Sequence, residues 1–274
     1  MSERSDPDGA AAPRTDAIVE LRGVWKSFGP LHVLRGVDLS FRRGETTVVL
    51  GPSGTGKSVM LKSIVGLLPL DRGSIHFEGR RIDDLGEARL ASVRRRIGYL
   101  FQHGALFDSL DVFDNVAFPL RESGVRDPAE ISRRVDRSLR LVGLGDLGAR
   151  MPTELSGGQQ KRIALARAIV LEPDVILYDE PTTGLDPIRA DLINELILRL
   201  QASLEVTSIV VTHDLASAFK VADRMVMLHE GRVVLDTVPE EFRMSEQPVV
   251  ARFLRGEASR EDLAELESGG TASR

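Results

Sequence analysis

The chain has 274 residues, of which 42% are hydrophobic and 28% charged, so it can fold as one large α/β domain or as a core with a smaller lobe. Its formal net charge of −5 excludes a global basic field of the kind that recruits nucleic acid. Cysteine is absent from the sequence, which excludes disulfides, cysteine-ligated iron–sulfur clusters and a thiol nucleophile.

Both ends of the chain differ in composition from its middle. Residues 1–17 are rich in Ser, Asp, Pro, Ala and Gly, lack the apolar core of a secretory signal, and are predicted to be a disordered tail. Residues 240–274 are predicted to form a C-terminal extension with one amphipathic helix, Val249 to Leu254. The most apolar segment, Val59 to Leu70, is shorter than the roughly 18–20 residues of a membrane-spanning helix. Any membrane part is therefore expected to come from another chain.

The first half of the core is predicted to be strand, glycine-rich loop and helix in that order. Strand-like segments occur at Ile18 to Leu21 and at Val37 to Phe41. Thr46 to Leu50, with the sequence TTVVL, has the apolar and β-branched pattern of a strand buried on both faces. It leads directly into GPSGTGKS, and a helix is predicted from Val59 to Leu68.

The glycine-rich loop matches the pattern G-x-x-x-x-G-K-[ST] at every position. Glycines allow successive backbone N–H groups to point inward at a helix N-terminus, where an anion binds. Lys57 is predicted to reach the β- and γ-phosphates of a nucleotide and the Ser58 hydroxyl to ligate Mg²⁺. A plain turn with a surface lysine is the alternative, which the flanking strand and helix argue against. The predicted phosphate-binding residues are Gly51, Pro52, Ser53, Gly54, Thr55, Gly56, Lys57 and Ser58.

The second half of the core alternates helix and strand, as expected for a sheet covered by helices. Between the halves, residues of about 108–165 have helix-like spacing with many Arg and Leu, which predicts an inserted helical subdomain. The predicted elements after the insert are helices at Gly157 to Leu171 and Pro187 to Ser203, strands at Val175 to Tyr178 and Ser208 to Val211, and a hairpin of Met225 to Leu228 with Arg232 to Leu235.

Two acidic residues follow the strand Val175 to Tyr178. Asp179 is predicted to bind Mg²⁺ through water opposite Ser58, and Glu180 to polarise the water that attacks the γ-phosphate. An acidic pair at a strand end is common by itself, and would then be a solvated strand terminus. The prediction of a catalytic site therefore depends on the pairing with a complete phosphate-binding loop.

Three further segments recur at defined places around these motifs. Leu155 to Gln159, with the sequence LSGGQ, opens a helix; Gln102 follows the apolar run Ile97 to Phe101; and His213 follows the strand that ends at Val211. Each is weak evidence alone, because a lone Gln is usually solvated and a lone His is more often structural. In this order and spacing the set resembles the ABC ATPase family over residues 18–236.

That resemblance implies an α/β P-loop core with a RecA-like sheet, an antiparallel β part and the helical insert, all within residues 18–239. It implies ATP and Mg²⁺ as cofactors, with Mg²⁺ bound by Ser58, Gln102 and Asp179 and catalysis by Glu180, His213, Gln102 and Lys57. The other implied roles are adenine stacking for Phe28, Mg²⁺ and attacking-water contacts for Gln102, closure over the ATP of the opposing protomer for Ser156, Gly158 and Gln159, the dimer seam for Asp186, and a γ-phosphate contact for His213.

A single phosphate-binding loop leaves one side of the γ-phosphate open to water. The N-terminus of a signature helix from a second copy would complete the charge clamp around it. One chain carries one copy of each motif, so we expect a head-to-tail homodimer with two composite sites.

Four shorter segments resemble the ATPases of the Mla/MCE lipid-transport systems: Ala105 to Phe107, Leu177 to Pro187, Gln159 to Arg162 and Phe253 to Gly256. This resemblance implies an MlaE-like membrane permease and an MCE-domain lipid-binding protein as partners. It also implies a peripheral position at the cytoplasmic face of a bacterial inner membrane, and a C-terminal extension that reaches the neighbouring protomer.

Two other classes of ABC ATPase are alternatives to lipid transport. The ATPase of a small-solute importer, for amino acids or similar compounds, has a nearly identical cassette and stays open; a solute-binding protein in place of an MCE protein would identify it. An ABC ATPase acting on DNA or ribosomes usually has long coiled coils, zinc-binding cysteines or two cassettes, none of which occurs here, so no nucleic-acid partner is expected. The basic runs at Arg94 to Arg96 and Arg133 to Arg140 are interpreted as solvated helix faces, or alternatively as the border of a groove for the permease.

Overall fold

The computed structural model describes residues 16–258, and within that range the chain forms ten strands in two sheets and nine α-helices. The predicted disordered tail, apart from Asp16 and Ala17, and the last part of the C-terminal extension lie outside these residues. The strands are β1 (Ala17–Phe28), β2 (Leu31–Arg42), β3 (Thr46–Leu50), β4 (Arg72–Phe77), β5 (Arg80–Arg81), β6 (Ile97–Leu100), β7 (Val175–Asp179), β8 (Thr207–Thr212), β9 (Arg224–His229) and β10 (Arg232–Thr237). The helices are α1 (Lys57–Ile64), α2 (Glu87–Arg94), α3 (Val112–Glu122), α4 (Pro128–Leu141), α5 (Gly157–Ile169), α6 (Pro187–Leu204), α7 (Leu215–Val221), α8 (Pro239–Arg243) and α9 (Pro248–Arg255).

The larger sheet has the strand order β10-β9-β3-β8-β7-β6. Strands β9, β3, β8, β7 and β6 are parallel to their neighbours, and β10 closes the edge as an antiparallel hairpin partner of β9, which confirms the predicted hairpin. In a parallel sheet the carboxyl ends of all strands meet at one edge. The residues that follow β3, β6, β7 and β8 are therefore neighbours, although they are far apart in the sequence.

The central strands are buried on both faces, as their apolar sequences predict. All five residues of β3 are buried; Val48 and Leu50 belong to one hydrophobic cluster, and Val49 belongs to the other. The first cluster includes side chains of α3, α4 and α5. The second joins the sheet to α1 and to the smaller antiparallel sheet, whose order is β2-β1-β4-β5. The fold is thus the expected α/β core with an antiparallel part and a helical region between β6 and β7.

Helix α1 is shorter than predicted because a glycine ends it. The sequence pattern extends to Leu68, whereas the helix stops at Ile64. Gly66 adopts φ +66°; its N–H bonds to Ser63 O at 3.0 Å, and the N–H of Leu67 bonds to Lys62 O at 2.9 Å. These two bonds form a Schellman motif, which needs the left-handed conformation that glycine supplies. Strands β4 and β5 and helices α2 and α7 were not predicted from the sequence.

The described part of the C-terminal extension packs on its own chain. Helix α9 contains the predicted helix Val249 to Leu254, and Phe242 of α8 and Val250 of α9 are buried in the cluster that also contains α3 to α5. A role of the extension in contacting a second protomer stays a prediction. Within residues 16–258, none of the helices combines the length and apolar character that a membrane crossing requires.

Candidate functional site

The phosphate-binding loop connects β3 to α1 in a conformation that requires glycine at two positions. Gly51 has φ +156°, and a Cβ there would lie 2.2 Å from the carbonyl oxygen of Leu228. Gly56 has φ +100°, and a Cβ there would lie 2.9 Å from the carbonyl oxygen of Val33. Gly56 also starts α1 without a side-chain cap, so the first turn of the helix presents its N–H groups to a ligand.

Lys57 is folded back over this loop. Its Nζ donates to the carbonyl oxygens of Gly51, at 2.6 Å, and Pro52, at 2.9 Å, and lies 3.8 Å from Oε1 of Glu180. Burial lowers the pKa of Lys57, while the negative charges of Glu180 and Asp179 raise it. A lysine ammonium therefore lies between the loop and the acidic end of β7.

Asp179 is held by two hydroxyl groups. Ser58 Oγ donates to its Oδ1 at 2.6 Å, and Tyr99 OH donates to its Oδ2 at 3.0 Å. Tyr99 lies in β6, and burial, with a further contribution from the charge of Asp179, raises its pKa above the usual range of a phenol. Tyr99 is not recognisable as a site residue from the sequence, because it occurs inside an apolar run and its partner is 80 positions further along the chain.

Glu180 has a strained main chain and a well-satisfied carboxylate. Its φ is +50°, a left-handed conformation that is uncommon for residues other than glycine. The Oε2 atom accepts hydrogen bonds from Thr183 Oγ1 at 3.1 Å and Thr212 Oγ1 at 3.4 Å, and His213 Nδ1 lies 2.9 Å away. Neither threonine was identified from the sequence. Backbone strain of this kind often occurs at active sites, where surrounding contacts maintain it.

Gln102 comes just after β6 of the larger sheet, whereas Phe28 lies at the end of β1, in the smaller sheet. Gln102 follows β6, in which Leu100 pairs with Tyr178 of β7 in parallel register, so it comes after the same sheet edge as Glu180. Phe28 ends β1 and is 47% exposed. Beside the loop lies a cleft of about 360 Å³, lined by Val33, Thr55 and Phe253 among others.

The signature residues form the start of α5. Ser156 caps the helix: its N–H bonds to Gln159 Oε1 at 2.9 Å, and its Oγ accepts from the N–H of Gln159 at 3.4 Å. A Cβ on Gly158 would lie 3.5 Å from Cδ of Arg189, at the start of α6. Asp186 caps α6 by accepting from the N–H groups of Ile188 and Arg189, at 3.1 and 3.0 Å. Both caps expose their polar side chains, in contrast to the buried carboxylate of Glu180.

Two of the three arginines before β6 bind partners within the chain. Arg94 Nε donates to Val65 O at 2.8 Å, just after α1, and Arg96 Nε donates to Asp174 at 2.7 Å. Arg95 lines a groove of about 440 Å³ together with the exposed rings of Phe107 and Phe118. Arg94 and Arg96 thus stabilise the fold through contacts within the chain. The interpretation of Arg94 to Arg96 as one solvated helix face is therefore incomplete.

A match to the family model described as "ABC transporter" covers residues 34–183. The chain belongs to the ABC transporter family. It is an ATP-binding subunit of that family and an ATPase, with the P-loop, the acidic pair and the signature helix all placed in the matching fold.

Solved structures of other cassettes are similar to this ABC subunit. The cassette MJ0796, in a dimeric post-hydrolysis state bound to ADP and Pi, is 33% identical with a TM-score of 0.74, and the match covers 80% of this chain and 98% of that one. The cassette cbiO1 from Clostridium perfringens, part of the cbiONQ complex, is 32% identical with a TM-score of 0.77, covering 92% and 99%.

Curated relatives include transport ATPases of named systems. The intermembrane phospholipid transport system ATP-binding protein MlaF of Escherichia coli is 40% identical over 239 residues, which cover 87% of this chain and 89% of MlaF. The probable ribonucleotide transport ATP-binding protein mkl of Mycobacterium leprae is 45% identical over 238 residues, covering 87% and 69%. The chloroplastic protein TRIGALACTOSYLDIACYLGLYCEROL 3 of Arabidopsis thaliana is 40% identical over 259 residues, covering 88% and 74%.

Proposed function

We propose that this ABC subunit hydrolyses MgATP at two composite sites of a head-to-tail homodimer and so drives a membrane permease in lipid trafficking of the Mla/MCE type. The observation that carries the proposal is the convergence of Lys57, Ser58, Asp179, Glu180 and His213 at one edge of the sheet. These groups supply the cation, the hydroxyl, the carboxylates and the imidazole that phosphoryl transfer to water uses.

The phosphates bind at the N-terminus of α1 and at Lys57 in this proposal. The loop offers backbone N–H groups, and the ammonium group moves from the loop carbonyls to the β- and γ-phosphates. Ser58, Gln102 and, through water, Asp179 would hold Mg²⁺: the oxygens of Ser58 and Asp179 are hard ligands that meet in one hydrogen bond of 2.6 Å, and Mg²⁺ takes few protein groups and completes its shell with phosphate and water. When bound, the ion neutralises charge on the transferred phosphoryl group.

Glu180 orients and polarises the attacking water. Its carboxylate lies 3.8 Å from the Lys57 ammonium, so it faces the place where the γ-phosphate binds. Thr183 and Thr212 donate to one oxygen, Oε2, and His213 Nδ1 lies 2.9 Å from the same oxygen, so these contacts restrict the rotation of the carboxylate. His213 is 51% exposed, so it can turn to contact the γ-phosphate itself.

Gln102 would connect the site to the permease. It lies between β6 and the segment of Phe107, and Phe107 and Phe118 pack with ring centroids 4.8 Å apart while remaining exposed. Their groove, bordered by Arg95, has the apolar floor and cationic rim that suit a short helix of a membrane partner. We assign the permease contact to this groove, at the cytoplasmic face of a bacterial inner membrane.

The exposed caps of α5 and α6 supply the second half of each composite site. Ser156, Gly158 and Gln159 present a helix N-terminus that attracts an anion, and Asp186 lies at the adjacent seam. The dimeric state of MJ0796 supports this arrangement. Aromatic stacking on Phe28, which is exposed at the end of β1, would hold the adenine ring.

Ser156→Asp tests the dimer without breaking the helix cap. Aspartate is as good an N-cap as serine, so the stability of the chain should stay within about 0.5 kcal/mol. Its charge would repel the γ-phosphate of the opposing protomer, and we expect ATPase activity to fall about 100-fold or more while ATP still binds to the P-loop. Activity equal to that of the native chain would contradict the composite site.

Lipid as the transported class is supported by the printed names of two relatives, the phospholipid system protein MlaF and the Arabidopsis protein named for trigalactosyldiacylglycerol. A second candidate is a small solute, because the mycobacterial relatives are named for ribonucleotide transport. The chain spans 69% of the length of one of these relatives and 66% of another.

A mild-detergent pull-down of the full chain from its native membranes distinguishes the two candidates. Mass spectrometry of the captured proteins and lipids should find a multi-spanning, MlaE-like permease, an MCE-domain protein and enriched phospholipid. A solute-binding protein in place of the MCE protein would keep the ATPase assignments and overturn the lipid class. Nucleotide-bound chain without any membrane protein would overturn the transport role.

A further inference from the structure

Lys161 is a buried lysine whose ammonium group binds the main chain next to the proposed catalytic carboxylate. It lies in α5 and is 8% exposed. Its Nζ donates to Glu180 O at 3.3 Å and to Pro181 O at 3.0 Å. Burial lowers its pKa, and the negative charge of Glu180 opposes that effect. Burying an ammonium group is unfavourable unless its N–H groups form hydrogen bonds. The two hydrogen bonds of Lys161 therefore indicate a specific role for this residue.

The two carbonyl groups belong to the strained turn after β7. Glu180 has φ +50°, and such a conformation persists only where neighbouring contacts hold it. One contact is the hydrogen bond from Glu180 N to Val211 O, at 2.9 Å, which ties the turn to β8. Lys161 supplies two more, and these tie the same turn to α5.

Helix α5 also carries the signature residues at its start. Ser156 caps the helix in a capping box with Gln159, so the beginning of the helix is well defined. Lys161 follows Ser156 by five residues, about 7.5 Å along the axis at 1.5 Å per residue. A helix is stiff over so short a distance. Any shift of the signature residues therefore also moves Lys161, whose ammonium group binds the carbonyl groups of Glu180 and Pro181.

We propose that Lys161 is a positioning residue that ties the main chain of Glu180 to the signature helix, so that the carboxylate is aligned for hydrolysis only when α5 is in place. This inference rests on the catalytic role of Glu180 proposed above. Lys161 acts through Glu180 rather than on the nucleotide, because its ammonium group is buried and directed at main-chain oxygens.

Lys161→Met tests the tie, because methionine keeps the apolar stem and removes the three N–H donors. We expect kcat of the full-length chain to fall about 10- to 100-fold, the range that a small misplacement of a catalytic group produces. The affinity for ATP, measured with a fluorescent analogue, should stay within about twofold, since the P-loop is untouched. ATP-driven dimerisation in a Glu180→Gln background should also persist.

Arg162→Met is the matched control. Arg162 is the next cation on the same helix, and its Nη1 donates to Val142 O at 3.3 Å, in a different part of the helical region. It should change kcat by less than about twofold. If Lys161→Met also leaves kcat unchanged, or if it abolishes dimerisation together with turnover, the proposal is wrong and Lys161 only supports the packing of α5.

Two comparisons separate this proposal from the assignment on which it rests. Glu180→Gln turning over normally would refute the catalytic role of Glu180 whatever Lys161 does. With that role established, the double variant Lys161→Met/Glu180→Gln should have the same residual kcat as Glu180→Gln alone, because both changes act through one group. A further loss of similar size to the single Lys161 effect would show independent action and overturn the tie.

Hydrogen exchange gives a readout that does not depend on activity. The amides of residues 179–184 should exchange about tenfold faster in Lys161→Met than in the native chain, because one anchor of the strained turn is gone. Arg162→Met should leave this segment at the native rate. Equal exchange in all three proteins would overturn the proposal even if turnover had fallen.

Discussion

Charged residues lie at both ends of the strand pair β6 and β7, but their surroundings differ. At the amino ends, Arg96 donates to Glu78 at 2.6 and 2.9 Å and to Asp174 at 2.7 Å, and these partly exposed charges neutralise one another. At the carboxyl ends, Asp179 and Glu180 are only 3% and 7% exposed and take donors from several different elements. The charges at the amino ends pair with one another, whereas the carboxylates at the carboxyl end lie beside the predicted phosphate-binding loop.

The difference in burial between the two groups separates charges that act on stability from charges that suit a functional site. Exposed ion pairs contribute about 0–1 kcal/mol each, so the amino-end network has a small effect on stability. A buried carboxylate costs several kcal/mol unless its partners compensate, and an apolar pair of the same volume is often as stable. Two adjacent buried carboxylates are therefore hard to explain by stability alone. The metal-binding and catalytic roles proposed for Asp179 and Glu180, the latter 3.8 Å from Lys57, would explain their burial.

Replacing the carboxylate of Glu180, which we propose to be catalytic, should have the largest effect. Glu180→Gln keeps the shape of the side chain and can still accept hydrogen bonds from Thr183 and Thr212, but it loses the charge that polarises water. We expect ATPase turnover to fall at least about 100-fold. ATP binding should be retained, and the ATP-bound dimer should become long-lived enough to detect by size-exclusion chromatography.

Glu172→Gln is the control for that experiment. Glu172 also has a left-handed main chain, with φ +54°, but it pairs with the exposed Arg137 after α5 and lies away from the P-loop. Its substitution should leave turnover within about twofold, as surface changes usually do. Similar losses in both variants would mean that the effect is not specific to the carboxylate of Glu180.

Tyr99→Phe should have an intermediate effect on ATPase activity. It tests whether Tyr99, in β6, belongs to the same site as Asp179. The change removes the hydroxyl that donates to Asp179 Oδ2 and leaves Ser58 as the remaining hydroxyl partner. Loss of a hydrogen bond that orients a metal ligand typically weakens metal binding about 10-fold or more. We therefore expect the Mg²⁺ concentration for half-maximal activity to rise by about that factor, and Mg²⁺-dependent quenching of a bound fluorescent nucleotide to shift equally.

Tyr178→Phe separates this effect from the loss of any buried hydroxyl. Tyr178 lies on β7 next to Asp179 and is fully buried, but its ring belongs to the core cluster. Its substitution can alter stability but should not alter the Mg²⁺ dependence. If Tyr99→Phe also leaves that dependence unchanged, Tyr99 belongs to the packing of β6 and not to the site.

The same comparison explains which parts of the molecule are predictable from sequence. The P-loop, β3 and β7 are local patterns: a glycine spacing and two apolar runs, each readable within about ten residues. Tyr99, Thr212 and Lys161 act through partners on other strands or helices, and their neighbours in sequence say nothing of those partners. Their roles depend on which strands lie side by side, and that is a property of the complete sheet.

The ends of helices and strands are less predictable from the sequence than their presence, because they also depend on contacts that form in the folded chain. The helix after the P-loop continues in apolar pattern to Leu68, but the left-handed Gly66 ends it earlier. Strand β5 has only two residues, Arg80–Arg81, and exists because it pairs with β4. An isolated pair of arginines has no strand pattern of its own. Such short elements follow from tertiary pairing and not from local preference.

Glu78→Gln should have the smallest effect and tests the amino-end network by pH. Hydrogen bonds from Arg96, together with those from Arg43, lower the pKa of Glu78 from 4.5 to about 2. A carboxyl whose pKa is lower in the folded state stabilises that state above its unfolded pKa, and this contribution is lost as the pH falls from about 4.5 towards 2.

The native chain should therefore unfold at a slightly higher temperature than Glu78→Gln at about pH 7, by no more than an exposed pair allows. Near pH 3 the two midpoints should approach each other, whereas ATPase activity at neutral pH should be the same in both. A midpoint difference that does not change with pH would mean that packing, and not charge, accounts for the contribution of Glu78; a loss of activity would mean that the two ends of β6 and β7 are not independent.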